Sequence, residues 1–213
     1  MELTSAGTVL VIIDMQNGFL HDEGSCAGIG LPVTALQAAL PGCRQLLGAA
    51  RRDGMPVIFT RYVYRPDYSD GGVVIREFFP DLATSGAFRS GSWDADVVDE
   101  LAPREGELVV DKNRPSAFYG TPLESYLRGL GADSLIVCGV TTNVCVETTV
   151  RDAMQRDLKV WVVGGATAEF DRDRHESALQ SMGWMFGQVV QLDAALEQIP
   201  HLGRNRQRGA GDT

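Results

Sequence analysis

Three residues of complementary chemistry stand where apolar runs end. Asp14 closes TVLVIID, Lys112 closes ELVVDK, and Cys145 follows SLIVCG across the turn GVTTN. A carboxylate can accept and return a proton, an ammonium can hold charge beside a thiol, and a thiol is an intrinsically strong nucleophile. Together they could cleave an acyl bond through a covalent intermediate. Each also has an ordinary reading. Asp at a strand end often turns the chain or caps a helix, lysine is usually solvated, and a free cysteine commonly behaves as a small buried hydrophobe. That last reading suits Cys26, Cys43 and Cys138. Cys145 differs by position: it falls in the first turn of a helix that begins near Thr142 or Asn143, where unpaired N–H groups and the helix dipole favour a thiolate and could receive an oxyanion.

The elements that must position these residues are legible as alternating patterns. Apolar, β-branched runs occur at 8–13, 57–61, 107–111, 134–139, 159–164 and 188–192. Their continuity implies a sheet buried on both faces. Helical periodicity spans roughly 33–53, 122–130, 143–157 and 173–185, with Pro41 splitting or kinking the first of these. The expected fold class is α/β: a doubly wound, mainly parallel sheet with helices on both faces. Ligands bind such sheets outside the carboxyl ends of the strands, the edge that Asp14, Lys112 and Cys145 share. Residues 62–94, aromatic and glycine-bearing with no clear strand partner, form a long insertion expected to shape the pocket.

At 213 residues the chain suits one domain, taken as 1–200, with 201–213 expected to be a disordered tail. Hydrophobic residues at 44% and charged residues at 22% match ordinary globular usage, which removes support for wholesale disorder or a fibrous protein. A net charge of −9, with Lys and Arg concentrated only around 204–208, argues against nucleic acid or an anionic membrane as partner and for a small-molecule substrate. The first apolar run is strand-length and lacks a basic segment before it, so neither a signal peptide nor a membrane span is expected and a cytoplasmic location follows. The cysteines form no CxxC pair, which speaks for free thiols and against a zinc site or disulfide framework.

IIDMQNGF (12–19), DKNRPSAFYGTPL (111–123) and GVTTNVCVETTVRDA (139–153) resemble, in order, the three signature blocks of the isochorismatase-like cysteine hydrolases, with a further match at VVGGATAEF (162–170). The similarity runs through nearly the whole core. It implies a six-stranded sheet, a homo-oligomer (dimer or tetramer), and an Asp, Lys and Cys triad carried by Asp14, Lys112 and Cys145. It also implies a cis peptide at Val140–Thr141 and an oxyanion hole formed by the Thr141 and Cys145 amides. In this reading Lys112 lowers the thiol pKa, Asp14 moves the proton, and no cofactor takes part.

Among the family's activities, the vinyl-ether hydrolysis of true isochorismatases needs no nucleophile, so Cys145 argues for amide chemistry. Nicotinamidases resemble the chain too, but usually place an Asp and histidine metal cluster after the second strand; TRYVYRPDYSD (60–70) has no histidine, and no metal is expected. Linear amides, N-carbamoyl compounds and ureides remain the expected substrates. Phe19, Arg61, Tyr62, Trp93, Phe118 and Tyr119 are candidates to line the pocket, the alternative for the aromatics being core or interface packing. Arg61 could grip a substrate carboxylate. Of the histidines, His21 lies on a loop and could in principle pair with cysteine, whereas His175 and His201 read as surface residues. A non-enzymatic alternative is a thiol redox sensor or binding module built on Cys145.

Overall fold

Strand β1 (Thr8–Ile13) is buried along its whole length, and its side chains divide between two cores. Leu10 and Ile12 enter one, Val9, Val11 and Ile13 the other. This is the period of two of a pleated strand, and it obliges the chain to cover both faces. A computed structural model describes residues 7–209, with side chains described through 202.

The remaining strands are β2 (Val57–Tyr62), β3 (Leu108–Lys112), β4 (Ser134–Val140), β5 (Lys159–Ala168) and β6 (Gln188–Val190). They form one six-stranded sheet in the order β3-β2-β1-β4-β5-β6. Every recorded strand pair is parallel, including the edges. The order reverses at β1, where crossovers leave toward both edges; that is the switch point at which such sheets bind ligands.

Five principal helices cover the sheet: α1 (Leu40–Asp53), α2 (Leu123–Gly129), α3 (Glu147–Met154), α4 (Arg172–Ser181) and α5 (Leu192–Gly209). Leu46 and Leu47 of α1 and Ile199 and Leu202 of α5 pack on the face that holds Leu10 and Ile12. Leu123 and Leu127 of α2, Val150 of α3 and Ala178 of α4 cover the other. Each fully buried Val, Leu or Ile side chain contributes about 1.5–3 kcal/mol, so the two apolar layers dominate the fold's stability.

Pro41 sits in the first turn of α1, and a separate short helix, Val33–Gln37, precedes it. A proline needs no N–H there, so the chain restarts at that point instead of kinking within one helix. The helix α5 runs to Gly209, continuing into the segment expected to be a disordered tail; buried Leu202 anchors its start. The end of that segment, 210–213, lies outside the described residues.

Gly139 shows how tightly the active edge is built. It lies opposite Ile13 in the β1–β4 register and has φ of 113°. A Cβ there would collide with the Ile13 backbone. Only glycine tolerates both the dihedral and the approach. Gly139→Ala is therefore expected to destabilise the protein by about 3 kcal/mol or more, read as a lower urea midpoint at unchanged slope.

Candidate active site

Asp14 follows β1 with φ of 51°, a left-handed conformation that Asp tolerates better than most residues. This turn breaks the strand's alternation and brings the carboxylate over the carboxyl edge of the sheet. Asp14 is fully buried. Thr60 of β2 donates its hydroxyl to Asp14 Oδ1 at 2.6 Å, while Asp14 N donates to Thr60 O at 3.1 Å.

Lys112 reaches the same point by strand parity. On β3 it shares a face with Val110, and its side chain is wholly buried. Its Nζ lies 2.6 Å from Asp14 Oδ2, a charge contact without hydrogen-bond alignment. It also donates to Arg114 O at 3.2 Å and to Cys145 Sγ at 3.3 Å, and lies 4.2 Å from the centre of the Tyr62 ring. Burial alone would lower the Lys112 pKa, but the neighbouring Asp14 carboxylate outweighs it and holds the ammonium above its ordinary value.

Cys145 is 3% exposed and sits in a π-helical turn, Thr142–Val146, that leads into α3. The Val140–Thr141 peptide before it is cis. Burial raises the thiol pKa above its ordinary value; the Lys112 charge pulls it down, and Asp14 pushes it back up. Lys112 and Asp14 thus act on the thiol in opposite directions, and burial outweighs the Lys112 charge. Desolvation disfavours the charged sulfur more strongly than one neighbouring cation, already paired with Asp14, can favour it. The raised pKa favours the thiol over the thiolate beside the Lys112–Asp14 pair.

Cys145 opens onto a cavity of about 510 Å³. Thr141 and Asn143 share its wall with it, and Phe19, Tyr62, Tyr64, Phe88 and Phe170 make much of the rest. The 62–94 segment supplies Val74, Phe78, Phe79 and Leu82 as well, so it does shape this cavity. Gln16 fixes one side: its Oε1 accepts from Tyr62 N at 2.6 Å, and its Nε2 donates to Tyr62 O and Ala95 O, both at 2.9 Å. Among the described residues, no group of three or more His, Cys, Asp and Glu side chains could hold a metal ion.

The isochorismatase domain family matches residues 8–194. The chain belongs to that family. Ureidoacrylate amidohydrolase RutB of Stutzerimonas stutzeri (strain A1501) is 33% identical over 207 residues, covering 91% of this chain and 83% of that protein. A cysteine hydrolase from Pseudomonas syringae pv. phaseolicola 1448A has the same fold with a TM-score of 0.84 at 28% identity, covering 95% of this chain and 99% of the other. N-carbamoylsarcosine amidase from Thermoplasma acidophilum matches with a TM-score of 0.72 at 26% identity, over 88% and 97% of the two chains.

Within this isochorismatase-family fold, the candidate pocket residues separate by strand face. Phe19 and Tyr62 line the cavity. Arg61 does not: it shares the face of Phe59, opposite Tyr62, and stands directly across from Asp111 in the β2–β3 register. Its guanidinium donates to both Asp111 oxygens at 2.7 and 2.9 Å, so it is not free to hold a substrate carboxylate. Trp93 is 48% exposed and meets the His21 ring edge-on; Tyr119 is 65% exposed. Phe118 is buried beneath the Arg156 guanidinium. None of these three lines the cavity. His175 is half-buried, 2.8 Å from the Thr142 hydroxyl, and so is not the surface residue expected; burial lowers its pKa.

Thr60, Gln16, Tyr64, Phe88, Asn143 and Glu169 belong to the site and were not among the sequence candidates. Asn143 and Glu169 stand within the motif blocks that carry the resemblance, which was a usable signal. Tyr64 and Phe88 come from the insertion, whose path periodicity does not give.

The buried pair has a measurable cost when broken. Lys112→Met leaves Asp14 as an uncompensated buried charge and is expected to destabilise by about 3–5 kcal/mol. Adding Asp14→Asn should recover a large part of that loss, giving a coupling energy of about 2 kcal/mol or more in a urea-denaturation double-mutant cycle. Additive losses would contradict the ion pair.

Proposed function

We propose that the chain is a cysteine-dependent amidohydrolase that cleaves a C–N bond of a small linear amide, N-carbamoyl compound or ureide through a thioester. The contact of Lys112 with both Asp14 Oδ2, at 2.6 Å, and Cys145 Sγ, at 3.3 Å, at the wall of a cavity, carries this reading. The named activities of the relatives, ureidoacrylate amidohydrolase and N-carbamoylsarcosine amidase, support it.

Because the thiol is protonated at rest, its proton must leave as sulfur attacks. Asp14, whose Oδ2 makes no aligned hydrogen bond, is the acceptor at hand. Sulfur then bonds to the substrate carbonyl carbon, and the oxygen takes up negative charge toward the Thr141 and Cys145 amides. Asp14 returns the proton to the nitrogen, the C–N bond breaks, and ammonia or an amine departs, leaving an acyl thioester on Cys145. Water gives a proton to Asp14 and its oxygen to the acyl carbon; the C–S bond breaks and sulfur regains the proton. Lys112 keeps one positive charge beside these transfers, and Thr60 holds the other Asp14 oxygen in place.

In this reading the chain is one catalytic domain, 1–200, acting in the cytoplasm as a homo-oligomer. Four free, buried cysteines support a reducing location. Among the described residues no helix is long and apolar enough to cross a membrane.

Cys145→Ala is expected to abolish ammonia release from a panel of amides and ureides. Asp14→Asn should lower kcat by about 10²- to 10⁴-fold. Mass spectrometry of the wild type, quenched in turnover, should place the acyl adduct on Cys145. An adduct elsewhere overturns the mechanism, and isochorismate turnover that survives Cys145→Ala favours vinyl-ether chemistry instead.

A further inference from the structure

The catalytic cavity is chemically one-sided in a way that the reacting groups do not require. Hydrocarbon makes most of its wall, with Phe19, Phe88 and Phe170 alongside Leu31, Val74 and Leu82. Phe78 and Phe79 extend this surface outward, 69% and 51% exposed. Cavities of about 300–1,000 Å³ enclose ligands of drug size, so 510 Å³ leaves room beyond a three-carbon acid.

The charged residues on the wall are Glu169 and Arg174, 3.8 Å apart. Glu169 is the buried member, its side chain 3% exposed against 54% for Arg174. It accepts from Phe170 N at 2.9 Å and from Asn143 N at 3.4 Å. Lys112 is engaged by Asp14, Cys145 and Arg114 O, and Arg61 by Asp111. A substrate carboxylate would meet the buried Glu169 carboxylate and hydrocarbon that cannot solvate it, with the half-exposed Arg174 the one cation among the wall's described residues.

Two buried polar atoms on this wall lack a hydrogen-bond partner, Tyr64 Oη and Asn143 Oδ1. Buried polar groups are ordinarily satisfied, so these are two unfilled hydrogen-bonding positions beside the cavity. Burial pushes the Tyr64 phenol up to about 12, which keeps it a hydrogen-bond donor at neutral pH. Asn143 Oδ1 offers an acceptor to an N–H.

We propose that the cavity selects an uncharged amide or ureide whose non-reacting part is apolar and at least as large as a phenyl or branched alkyl group, with its polar atoms on Asn143 Oδ1 and the Tyr64 hydroxyl. The inference rests on the amidohydrolase reading above and adds a substrate class to it. It separates this chain from a relative named for ureidoacrylate, a substrate that bears a carboxylate.

The test is kcat/KM of the wild-type protein for matched pairs: N-carbamoyl compounds and primary amides with phenyl or branched-alkyl tails, each against a twin ending in a carboxylate. The apolar member should be preferred by about 100-fold. Phe78→Arg, at an exposed position, should reduce that preference roughly tenfold by giving the carboxylate a partner. Asn143→Ala should raise KM for the apolar amides about tenfold with the far-ultraviolet circular dichroism unchanged. Equal or better turnover of the carboxylate twins overturns the substrate class and leaves the hydrolase reading standing. A preference that neither variant alters also counts against it. If no member of either series is turned over and Cys145 gains no acyl adduct, the amidohydrolase reading itself falls.

Discussion

An ammonium and a carboxylate 2.6 Å apart, both shut off from water, persist only where the surrounding groups repay their lost hydration. Here the Thr60 hydroxyl, the Arg114 carbonyl and the face of the Tyr62 ring supply that support. Cys145 stands against Lys112 and is kept neutral by the same dryness that makes the pair so strongly coupled. The site therefore holds its one mobile proton on sulfur, with an acceptor beside it and a fixed cation to balance whatever charge moves. A thiolate formed in advance would require a second cation or access to water. Among the described contacts of Cys145, Lys112 is the cation present, and it is already shared with Asp14.

This arrangement is a consequence of the sheet. Parity on β3 sends Lys112 to one face and Asp111 to the other, and parity on β2 does the same for Tyr62 and Arg61. The result is two ion pairs on opposite faces of the sheet: one buried at the cavity, reaching from β3 past β2 to the end of β1, the other partly exposed between β2 and β3. The left-handed turn at Asp14 and the close approach of Gly139 to Ile13 then bring the ends of β1 and β4 together, so that groups from three strands meet at the switch point.

Much of this was legible in the chain. Apolar, β-branched runs located all six strands, most completely at central β1 and β4, which are buried along their whole length. The β5 strand outruns its apolar run, continuing past Gly164 and Gly165 to Ala168, with the β4–β5 register shifting between Val162 and Thr167. Asp14, Lys112 and Cys145 could be found from their positions after strands. Their protonation could not, since it depends on desolvation set by residues distant in sequence. Arg61 illustrates the other limit. Alternation alone could have placed it opposite Tyr62, but only the β2–β3 register reveals Asp111 as its partner. The insertion's aromatics resisted prediction because a loop without periodicity gives no rule for which side chains turn inward.

The protonation state of Cys145 is what most directly distinguishes a neutral thiol beside a complete ion pair from a preformed thiolate. It can be measured as the thiolate ultraviolet absorbance of the wild type minus that of Cys145→Ser across a pH titration. The account predicts no difference at neutral pH, with any thiolate band emerging only above the range of an ordinary cysteine. A full thiolate band at neutral pH that disappears in Cys145→Ser would contradict it.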